Sequence, residues 1–403
     1  MVKGCILPWI HLFGDIRGDY RLCCHIPAND HDRSDVLATH KDSISSIWNN
    51  DYYKKTRLQF LNNKIPSPCK KFCYDVENMG GESNRQQVNK RFSEFSTLQK
   101  QTKLDGSLAS NPIYLDFRFN NKCNFKCRIC GPYSSSAWFK DADRISVFKN
   151  APKELATYYS NNDEFWNYLY TIKDSIKYFY FAGGEPLTMD SHYELLQWLI
   201  DNDKTDVELT YNTNLSTLKY KHYDVFKMWD KFEKIILWPS VDGYKEHCEY
   251  SRTNFNWSIF QENLKITKKY VSTISCTISL YSALTSVELI LYLKSKGIGT
   301  FLSVLDFPGH LDCRLLPLEI KSKIEKKFLL LKKKLSKGGG SRLFLSEEEV
   351  ENIDRTVAYL KNDIENKDIL LKRFKEYNEQ VDKLNNTSFV DIYPELREWY
   401  ETI

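Results

Sequence analysis

The sequence predicts an α/β fold built on a parallel sheet, with a small cysteine-rich region before it and a helical region after it. Short aromatic or β-branched runs alternate with amphipathic stretches from residue 113 onward. The strand candidates are 113–119, 176–181, 207–211, 234–240, 273–280 and 300–305. Six strands alternating with helices imply parallel pairing and right-handed crossovers. Such a sheet can close partly into a (β/α)6 barrel, with its chemistry at the carboxyl ends of the strands.

The flanking regions differ from the sheet region in composition. Residues 1–105 are rich in cysteine, histidine and aromatics, with a helix-like stretch at 43–63, and from residue 85 they become a polar connector. We expect a small α+β module there, followed by the sheet domain at 106–312 and a helical extension at 313–403. The lysine-rich helix predicted at 321–337 ends at three glycines, 338–340. Such a helix could contact an anionic substrate or nucleic acid, although a solvated face is the commoner explanation.

Composition excludes several classes of protein. The 403 residues are 42% hydrophobic and 27% charged, which argues against disorder, a collagen-like fibre or a pure coiled coil. The net charge of +4 is too small to argue for nucleic acid by itself. We find no signal peptide and no membrane span in the sequence. The 11 cysteines are an odd number in a long chain, which disfavours a disulfide scaffold and favours metal ligands in a reducing cytoplasm.

Three cysteines, Cys123, Cys127 and Cys130, directly follow the first predicted strand. Three thiolates within eight residues can surround one face of a compact metal site. Zinc sites usually have four ligands, and no natural fourth ligand lies nearby in the sequence. An iron–sulfur cube held by three cysteines leaves one iron open, which suits a catalytic centre.

This C-x3-C-x2-C loop resembles that of the radical S-adenosylmethionine (radical SAM) enzymes, and Gly183-Gly184-Glu185-Pro186 resembles the second marker of that family. The resemblance implies a partial TIM-like barrel, a [4Fe–4S] cluster on the three cysteines, and S-adenosylmethionine bound at its open iron. Glycines allow close approach of the backbone, and a carboxylate complements the ammonium group of the cofactor. By the same resemblance, further cofactor contacts are expected at Thr213, Asn214, Ser240, Asp242 and Arg252. Ile129 departs from the family pattern, which commonly has an aromatic residue there, so adenine packing at this position should be aliphatic.

A second cysteine pattern has Cys5, Gly18 and Cys23 at a characteristic spacing, and Cys69 and Cys73 follow it. Residues 7–12 and 20–22 are predicted to be the strands of a hairpin that turns at Gly18. The pattern resembles the auxiliary-cluster modules called SPASM and twitch, and placed before the main domain it resembles the twitch-domain radical SAM proteins of bacteria and phages. Four cysteines could hold a second [4Fe–4S] cluster, while a zinc knuckle remains the alternative. Only the spacing favours Cys23 over Cys24 as the ligand.

The resemblance implies reductive cleavage of S-adenosylmethionine to a 5′-deoxyadenosyl radical, which abstracts hydrogen from a small molecule, a nucleotide sugar or a peptide. It also implies an external one-electron reductant resembling flavodoxin or ferredoxin. The second cluster would transfer an electron or brace its module. Alternation along the strands places Asp116, Arg118 and Asn120 inside the barrel and Cys276 in the core, but no catalytic residue is identified. The alternative is a non-catalytic iron–sulfur or zinc scaffold that binds a partner or nucleic acid through its basic C-terminal helix.

Overall fold

The computed structural model describes residues 4–26, 36–78, 82–159, 161–335 and 344–403. Lys337 and the three glycines expected to end the basic helix lie outside the described residues. Within the described ranges, no helix combines the length and the apolar character that crossing a membrane requires.

The N-terminal region mixes short helices with a hairpin. A π-helical turn covers Lys70–Tyr74, and a 3-10 helix covers Ser93–Gln101. The other elements, in chain order, are α1 Leu7–Ile10, β1 His11–Gly14, β2 Asp19–Arg21, β3 Ala38–Thr39, α2 Ile44–Ile47, α3 Asp51–Leu61, α4 Ser67–Cys69, α5 Asp75–Asn78 and α6 Asn84–Arg91.

The predicted hairpin is present, but its first strand starts later than expected. β1 and β2 pair antiparallel, and Gly18 at the turn has a φ of 77°. The prediction of a strand over residues 7–12 is wrong for its first four residues, which form α1. Pro8 explains the difference, because proline lacks the N–H that a strand ladder uses and is well suited to the first turn of a helix.

The sheet region has the alternating strands and helices that the sequence predicts. Its strands are β4 Tyr114–Phe117, β5 Lys126–Cys127, β6 Tyr178–Phe181, β7 Glu208–Thr213, β8 Lys219–Tyr220, β9 Tyr223–Asp224, β10 Ile235–Pro239, β11 Arg252–Thr253, β12 Thr273–Ile278 and β13 Gly299–Val304. Its helices are α7 Asp163–Ile172, α8 Asp190–Asp201, α9 Val225–Trp229, α10 Glu246–Ser251, α11 Trp257–Thr267 and α12 Ser286–Ser295.

All six predicted strands form, and their neighbours pair in parallel. The largest sheet has the order β10-β7-β6-β4-β1-β2-β3, while β12 pairs in parallel with β13. Two parallel bridges, Leu237 to Val271 and Ser240 to Ser275, connect β10 to the β12 end of that pair. The mixed α/β fold with a central parallel sheet is therefore confirmed. β1 also pairs in parallel with β4, so the N-terminal hairpin extends the main sheet across the predicted boundary at residue 105.

Burial alternates along the strands and separates two faces of the sheet. On β12, Ile274, Cys276 and Ile278 are buried, which confirms the prediction that Cys276 is a core residue. The other set of side chains forms what we call the open face, and its members are only partly buried on β6, β10 and β12. Examples are Tyr180 and Trp238, whose ring centroids lie 6.2 Å apart.

The predicted polar connector is helical and packs against the open face. Ser83 and Gln86 form a capping box that starts α6. After α6, the Phe92 ring lies 5.3 Å from that of Tyr114 and 5.0 Å from that of Tyr178. The connector therefore covers the open face where β4 and β6 begin.

The C-terminal region is helical, as predicted, and covers the edge of the sheet at β13. Its helices are α13 Leu318–Lys334, α14 Glu347–Lys361, α15 Lys367–Asn385, α16 Phe389–Ile392 and α17 Arg397–Thr402. The side chain of Asn352 on α14 accepts from Leu302 N at 2.5 Å and donates to Leu302 O at 2.8 Å. This amide takes the place of a neighbouring strand at an edge that would otherwise be open to pairing with another chain.

Candidate active site

The three-cysteine loop leaves the carboxyl end of β4 and is held by a short ladder. β5 pairs antiparallel with β11, which puts Cys127 opposite Arg252. The Cys127 and Cys130 thiols are close enough to shift each other's pKa, and Cys123 interacts electrostatically with both. Burial raises the pKa of the Cys123 thiol to about 12. The three thiols therefore converge, and they would have to release protons to bind a metal.

The glycines after β6 bring a second loop against the cysteine loop. Gly183 and Gly184 have φ values of 81° and 51°, which favour glycine. A Cβ atom on Gly184 would lie 2.3 Å from the Lys122 carbonyl oxygen, which also accepts from Glu185 N at 2.7 Å. The two loops are thus in main-chain contact, and only glycine fits at position 184.

The Glu185 carboxylate is buried and is held by groups of this chain. It accepts from the Thr213 hydroxyl at 2.7 Å and from Asn214 N at 2.6 Å, at the end of β7, and from Leu187 N at 3.1 Å. Burial raises its pKa, although these hydrogen bonds and Arg252 oppose the shift. Glu185 therefore ties the glycine loop to β7, and its expected contact with an ammonium group stays a prediction.

Arg252 is the cation of the site. Its Nη1 donates to Asp242 at 2.6 Å, and Asp242 also accepts from Thr277 N at 2.8 Å. Its positive charge acts to lower the pKa of both the Cys127 and the Cys130 thiol. Its Nε–H is buried and has no partner among the described residues. The site thus contains a free donor beside the thiols, suited to a carboxylate.

The remaining predicted cofactor residues lie at the same edge of the sheet. Ser240 N donates to Thr213 O at 2.8 Å, which joins the ends of β10 and β7. The Asn214 side chain donates to Asn124, inside the cysteine loop, at 2.9 Å. Ile129 is half-buried, between the last two cysteines. These contacts place Thr213 and Asn214 beside the cysteine loop, and the cofactor contacts expected of all these residues stay predictions.

The four N-terminal cysteines Cys5, Cys23, Cys69 and Cys73 line one cavity. Apolar side chains complete its wall, among them Leu7, Leu22, Ile26, Phe60 and Phe72. Cys5 and Cys73 are buried and the other two half-buried. Burial is the main cause that raises the pKa of the Cys5 thiol, and the neighbouring Cys69 and Cys73 add to it. The donor set and its apolar wall match what a four-thiolate cluster needs.

Local backbone geometry places these thiols. Cys69 ends α4 and Cys73 lies in the π-helical turn, a widened form of helix that occurs often at functional sites. Gly4, with a φ of 66°, precedes Cys5, and a Cβ there would lie 2.0 Å from the Phe60 ring. Among the described residues, no group of three or more His, Cys, Asp or Glu side chains is arranged to hold a single metal ion.

The open face carries a group of polar side chains, of which the sequence predicted only Asp116 and Arg118. Asp116 and Arg118 form a two-fold ion pair, with Nε–Oδ1 and Nη2–Oδ2 distances of 3.0 Å each. Burial raises the pKa of Asp116 to about 6, against the effect of Arg118. The Arg118 guanidinium carbon lies 5.0 Å from the Tyr180 ring centroid and 5.6 Å from that of Phe13.

Two further members of this group, Cys24 and His11, come from the N-terminal module, and the sequence did not predict their place on the open face. The exposed Cys24 is in electrostatic contact with Asp116 and Arg118, and so differs from its neighbour Cys23, which lines the four-cysteine cavity. His11 is buried, its Nδ1 lies 3.3 Å from Leu22 O, and its Nε2 has no partner in the part of the chain that the structure describes. Only the parallel pairing of β1 with β4 brings these side chains to the open face, and no sequence motif indicates it.

The kinds of donor present in the described ranges, though not their arrangement around a single metal ion, suit the cofactors that the sequence implies. Three converging thiols, a main-chain cradle that a Cβ would fill at Gly184, and the unpaired Arg252 Nε–H meet at one edge of the sheet. Clustered titratable groups with shifted pKa values, such as Asp116, are typical of functional sites. The four-thiol cavity provides the second donor set.

Comparisons with known proteins find solved structures whose similarity to this chain is low. No family model and no curated protein matches the chain. The chain is similar to solved structures of native anSMEcpe with bound AdoMet (TM-score 0.40, 18% identity) and with bound AdoMet and the Cp18Cys peptide (TM-score 0.36, 16% identity). In both, the match covers 56% of this chain and 62% or 61% of the other, which is less than two thirds of its length. A structure of TYW1 with a lysine-pyruvate adduct bound is similar at a TM-score of 0.30 and 14% identity, over 58% of this chain and 77% of that one.

Proposed function

We propose that the chain is a radical SAM enzyme, with a [4Fe–4S] cluster on Cys123, Cys127 and Cys130. The observation that carries the proposal is the convergence of these three thiols with the Gly183-Gly184 cradle and the unpaired Nε–H of Arg252. A scaffold protein has no need for a carboxylate-binding donor beside an open iron.

The chain's own residues bind and orient the cofactor. The Arg252 Nε–H would donate to the methionine carboxylate of S-adenosylmethionine, and Asp242 fixes the direction of the guanidinium. The two glycines allow the main chain to approach the ammonium group. Thr213, Asn214 and Ser240 would contact the ribose and methionine parts of the cofactor, and Ile129 would pack against the adenine. When bound, the reduced cluster and S-adenosylmethionine supply a 5′-deoxyadenosyl radical that abstracts hydrogen from the substrate.

The open face is the proposed location of that substrate, which is a small molecule, a nucleotide sugar or a peptide. Arg118 connects this face to the cofactor loop, since a Cβ atom on Gly183 would lie 3.1 Å from the Arg118 Cβ. Tyr180 and Trp238 offer aromatic surfaces, and the Asp116–Arg118 pair offers both a donor and an acceptor. A substrate here would lie near the thiol of Cys24 and near the module that carries the four-cysteine cavity.

The four-cysteine cavity is proposed to hold an auxiliary [4Fe–4S] cluster, of the twitch type, within a module and connector at 1–105. The radical SAM core would then occupy 106–312 and the helical extension 313–403. A zinc ion bound by the same four thiolates is the competing occupant. We further propose a flavodoxin- or ferredoxin-like reductant and a cytoplasmic location.

The test is cleavage of S-adenosylmethionine by the anaerobically reconstituted protein under dithionite, with 5′-deoxyadenosine measured by chromatography. We expect product from the wild-type protein and from a Cys313→Ala control, whose cysteine is buried elsewhere, and none from Cys127→Ala. Equal background product in all three proteins would contradict the proposal.

The alternative scaffold function gains no specific support. In the described part of the basic helix, Lys327 is paired with Glu288, and Lys332 with Asp354. These lysines hold α13 against other parts of the chain, so their charge is partly neutralised.

A further inference from the structure

Arg128 lies between two cysteines of the three-cysteine loop, and its side chain is completely buried. The segment between β4 and α7 has just two residues of strand, Lys126 and Cys127, among its described residues. Regular secondary structure therefore does little to fix the geometry of this loop. Contacts made by side chains within the loop have to do so instead.

The guanidinium of Arg128 occupies a closed socket. Its Nε donates to Tyr250 O at 3.0 Å, its Nη1 to Asn378 at 3.0 Å, and its Nη2 to Asp382 at 2.5 Å and to Thr387 at 3.0 Å. The guanidinium carbon also lies 3.7 Å from the Tyr250 ring centroid. A buried charge is tolerated when it is paired and hydrogen-bonded, as it is here.

The main chain of Arg128 is held as firmly as its side chain. Its N–H donates to Ser251 O at 2.8 Å, and its carbonyl accepts from the Tyr377 hydroxyl at 2.7 Å. Ser251 directly precedes Arg252, the cation beside the thiols. The socket thus controls both the path of the cysteine loop and the start of β11.

Most of the socket belongs to α15 and the residues just after it. Asp382 is its centre, because it also accepts from the Tyr250 hydroxyl at 2.9 Å, from the Thr387 hydroxyl at 2.7 Å and from Phe389 N at 2.8 Å. Asn378 accepts from the Tyr281 hydroxyl at 3.0 Å. These groups are about 250 residues from Arg128 in the sequence.

We propose that Arg128 is a positioning residue for the metal-binding loop, and that α15 of the helical extension belongs to the catalytic machinery as the part that holds Arg128. In this arrangement, the socket sets the distance between the Cys127 and Cys130 thiols and the direction of Arg252. The inference rests on the proposed function for its purpose, but the contact itself can be tested without any cofactor.

The first test uses the full-length, metal-free protein. Asp382→Asn keeps the size of the side chain and removes the charge that pairs with Arg128. We expect iodoacetamide to alkylate Cys127 and Cys130 at least tenfold faster in this variant than in the wild-type protein, as measured by peptide mass spectrometry. Cys276, buried in the core, is the internal reference that reports global unfolding. If Cys276 also becomes reactive, the milder variant Thr387→Val decides the question by the same comparison.

Asp312→Asn is the matched control. Asp312 is also a buried carboxylate that pairs with an arginine, Arg314 at 2.8 Å, and with a tyrosine hydroxyl, that of Tyr359 at 2.7 Å. In the described part of the chain, the side chains of that pair form hydrogen bonds with Tyr359 and Asp363, which lie outside the cysteine loop. Equal alkylation of Cys127 in Asp382→Asn and Asp312→Asn, with Cys276 protected in both, would overturn the inference.

The second test separates the inference from the proposed function. After anaerobic reconstitution and reduction with dithionite, the wild-type protein should show an electron paramagnetic resonance signal that changes when S-adenosylmethionine is added, and Arg128→Lys should lose that change while Arg314→Lys keeps it. A wild-type protein without such a signal would contradict the proposed function and leave the alkylation result to decide the role of the socket. A normal response in Arg128→Lys would overturn the inference alone.

Discussion

The Glu185 carboxylate accepts a 2.7 Å hydrogen bond from the hydroxyl of Thr213, and both groups are buried. This bond connects the glycine loop after β6 to the end of β7, so it fixes two of the segments that surround the three cysteines. Removing this bond tests whether Glu185 holds these two segments in place around the three cysteines.

Thr213→Val should therefore destabilise the protein and weaken cofactor binding. Valine has nearly the same shape but leaves a buried carboxylate oxygen without one of its donors, which costs about 1–3 kcal/mol. Denaturant unfolding measures the loss, and the Kd for S-adenosylmethionine should rise. Thr356→Val is the control, because the Thr356 hydroxyl donates to Asn352 O within its own helix. An equally small effect of both substitutions would show that the Glu185 contact contributes nothing special.

Gly184→Ala should be far more harmful than Gly297→Ala. Both glycines have positive φ, so each alanine pays a conformational strain of about 1–2 kcal/mol. At Gly297 an added Cβ meets nothing within 4 Å, whereas at Gly184 it meets a backbone oxygen at 2.3 Å. Thermal unfolding and iron content of the reconstituted variants provide the comparison. Similar behaviour of the two variants would contradict the close approach of the two loops.

Arg252→Lys should weaken binding of S-adenosylmethionine about 10- to 100-fold, although the positive charge is kept. Lysine cannot donate from an Nε–H while also holding Asp242, because it lacks the fork of the guanidinium. Equilibrium dialysis with labelled S-adenosylmethionine measures the affinity. Arg314→Lys changes a comparable arginine away from the site and should leave the affinity unchanged. An unaltered affinity in Arg252→Lys would remove Arg252 from the cofactor site.

Cys69→Ala should lose about four irons per chain, the content of one [4Fe–4S] cluster, whereas Cys24→Ala should keep them. The reason is that Cys69 lines the four-cysteine cavity and Cys24 is directed to the Asp116–Arg118 pair. Iron and sulfide analysis with Mössbauer spectroscopy checks the result. Zinc instead of iron in the isolated wild-type protein would favour the zinc alternative.

Acid should destabilise the protein below about pH 6.5 through buried histidines such as His310. Burial lowers the pKa of His310 from 6.5 to about 4, so the folded state keeps this ring neutral while the unfolded state takes up a proton. The contribution of His310 to the free energy of unfolding is thus fully present above pH 6.5. It falls by up to about 3 kcal/mol as the pH drops towards 4. Urea unfolding at several pH values should show a smaller slope for His310→Asn. If the free energy of unfolding falls equally steeply with pH in both proteins, His310 does not cause the loss of stability in acid.

The strands and the cysteine loops could be predicted from local signals. Aromatic and β-branched runs identify β4, β6, β7, β10, β12 and β13, and fixed spacings identify both cysteine sets. The Pro8 turn was missed because the apolar stretch over residues 7–12 also fits a short buried strand. The roles of His11, Cys24 and Arg128 could not be predicted, because each depends on contacts between segments about 100 to 250 residues apart. Periodicity describes the neighbours of a residue along one element, whereas these contacts are decided by packing of the whole chain.

The parallel pairing of His11 with Tyr114 also has a consequence for biosynthesis. β1 leaves the ribosome about a hundred residues before its partner strand, and loops of this length close slowly. The groups on α15 that anchor Arg128 in the cysteine loop are synthesised later still, about 250 residues after it. Clusters should therefore be inserted only after α15 has been synthesised, and a nascent chain would need its thiols protected until then.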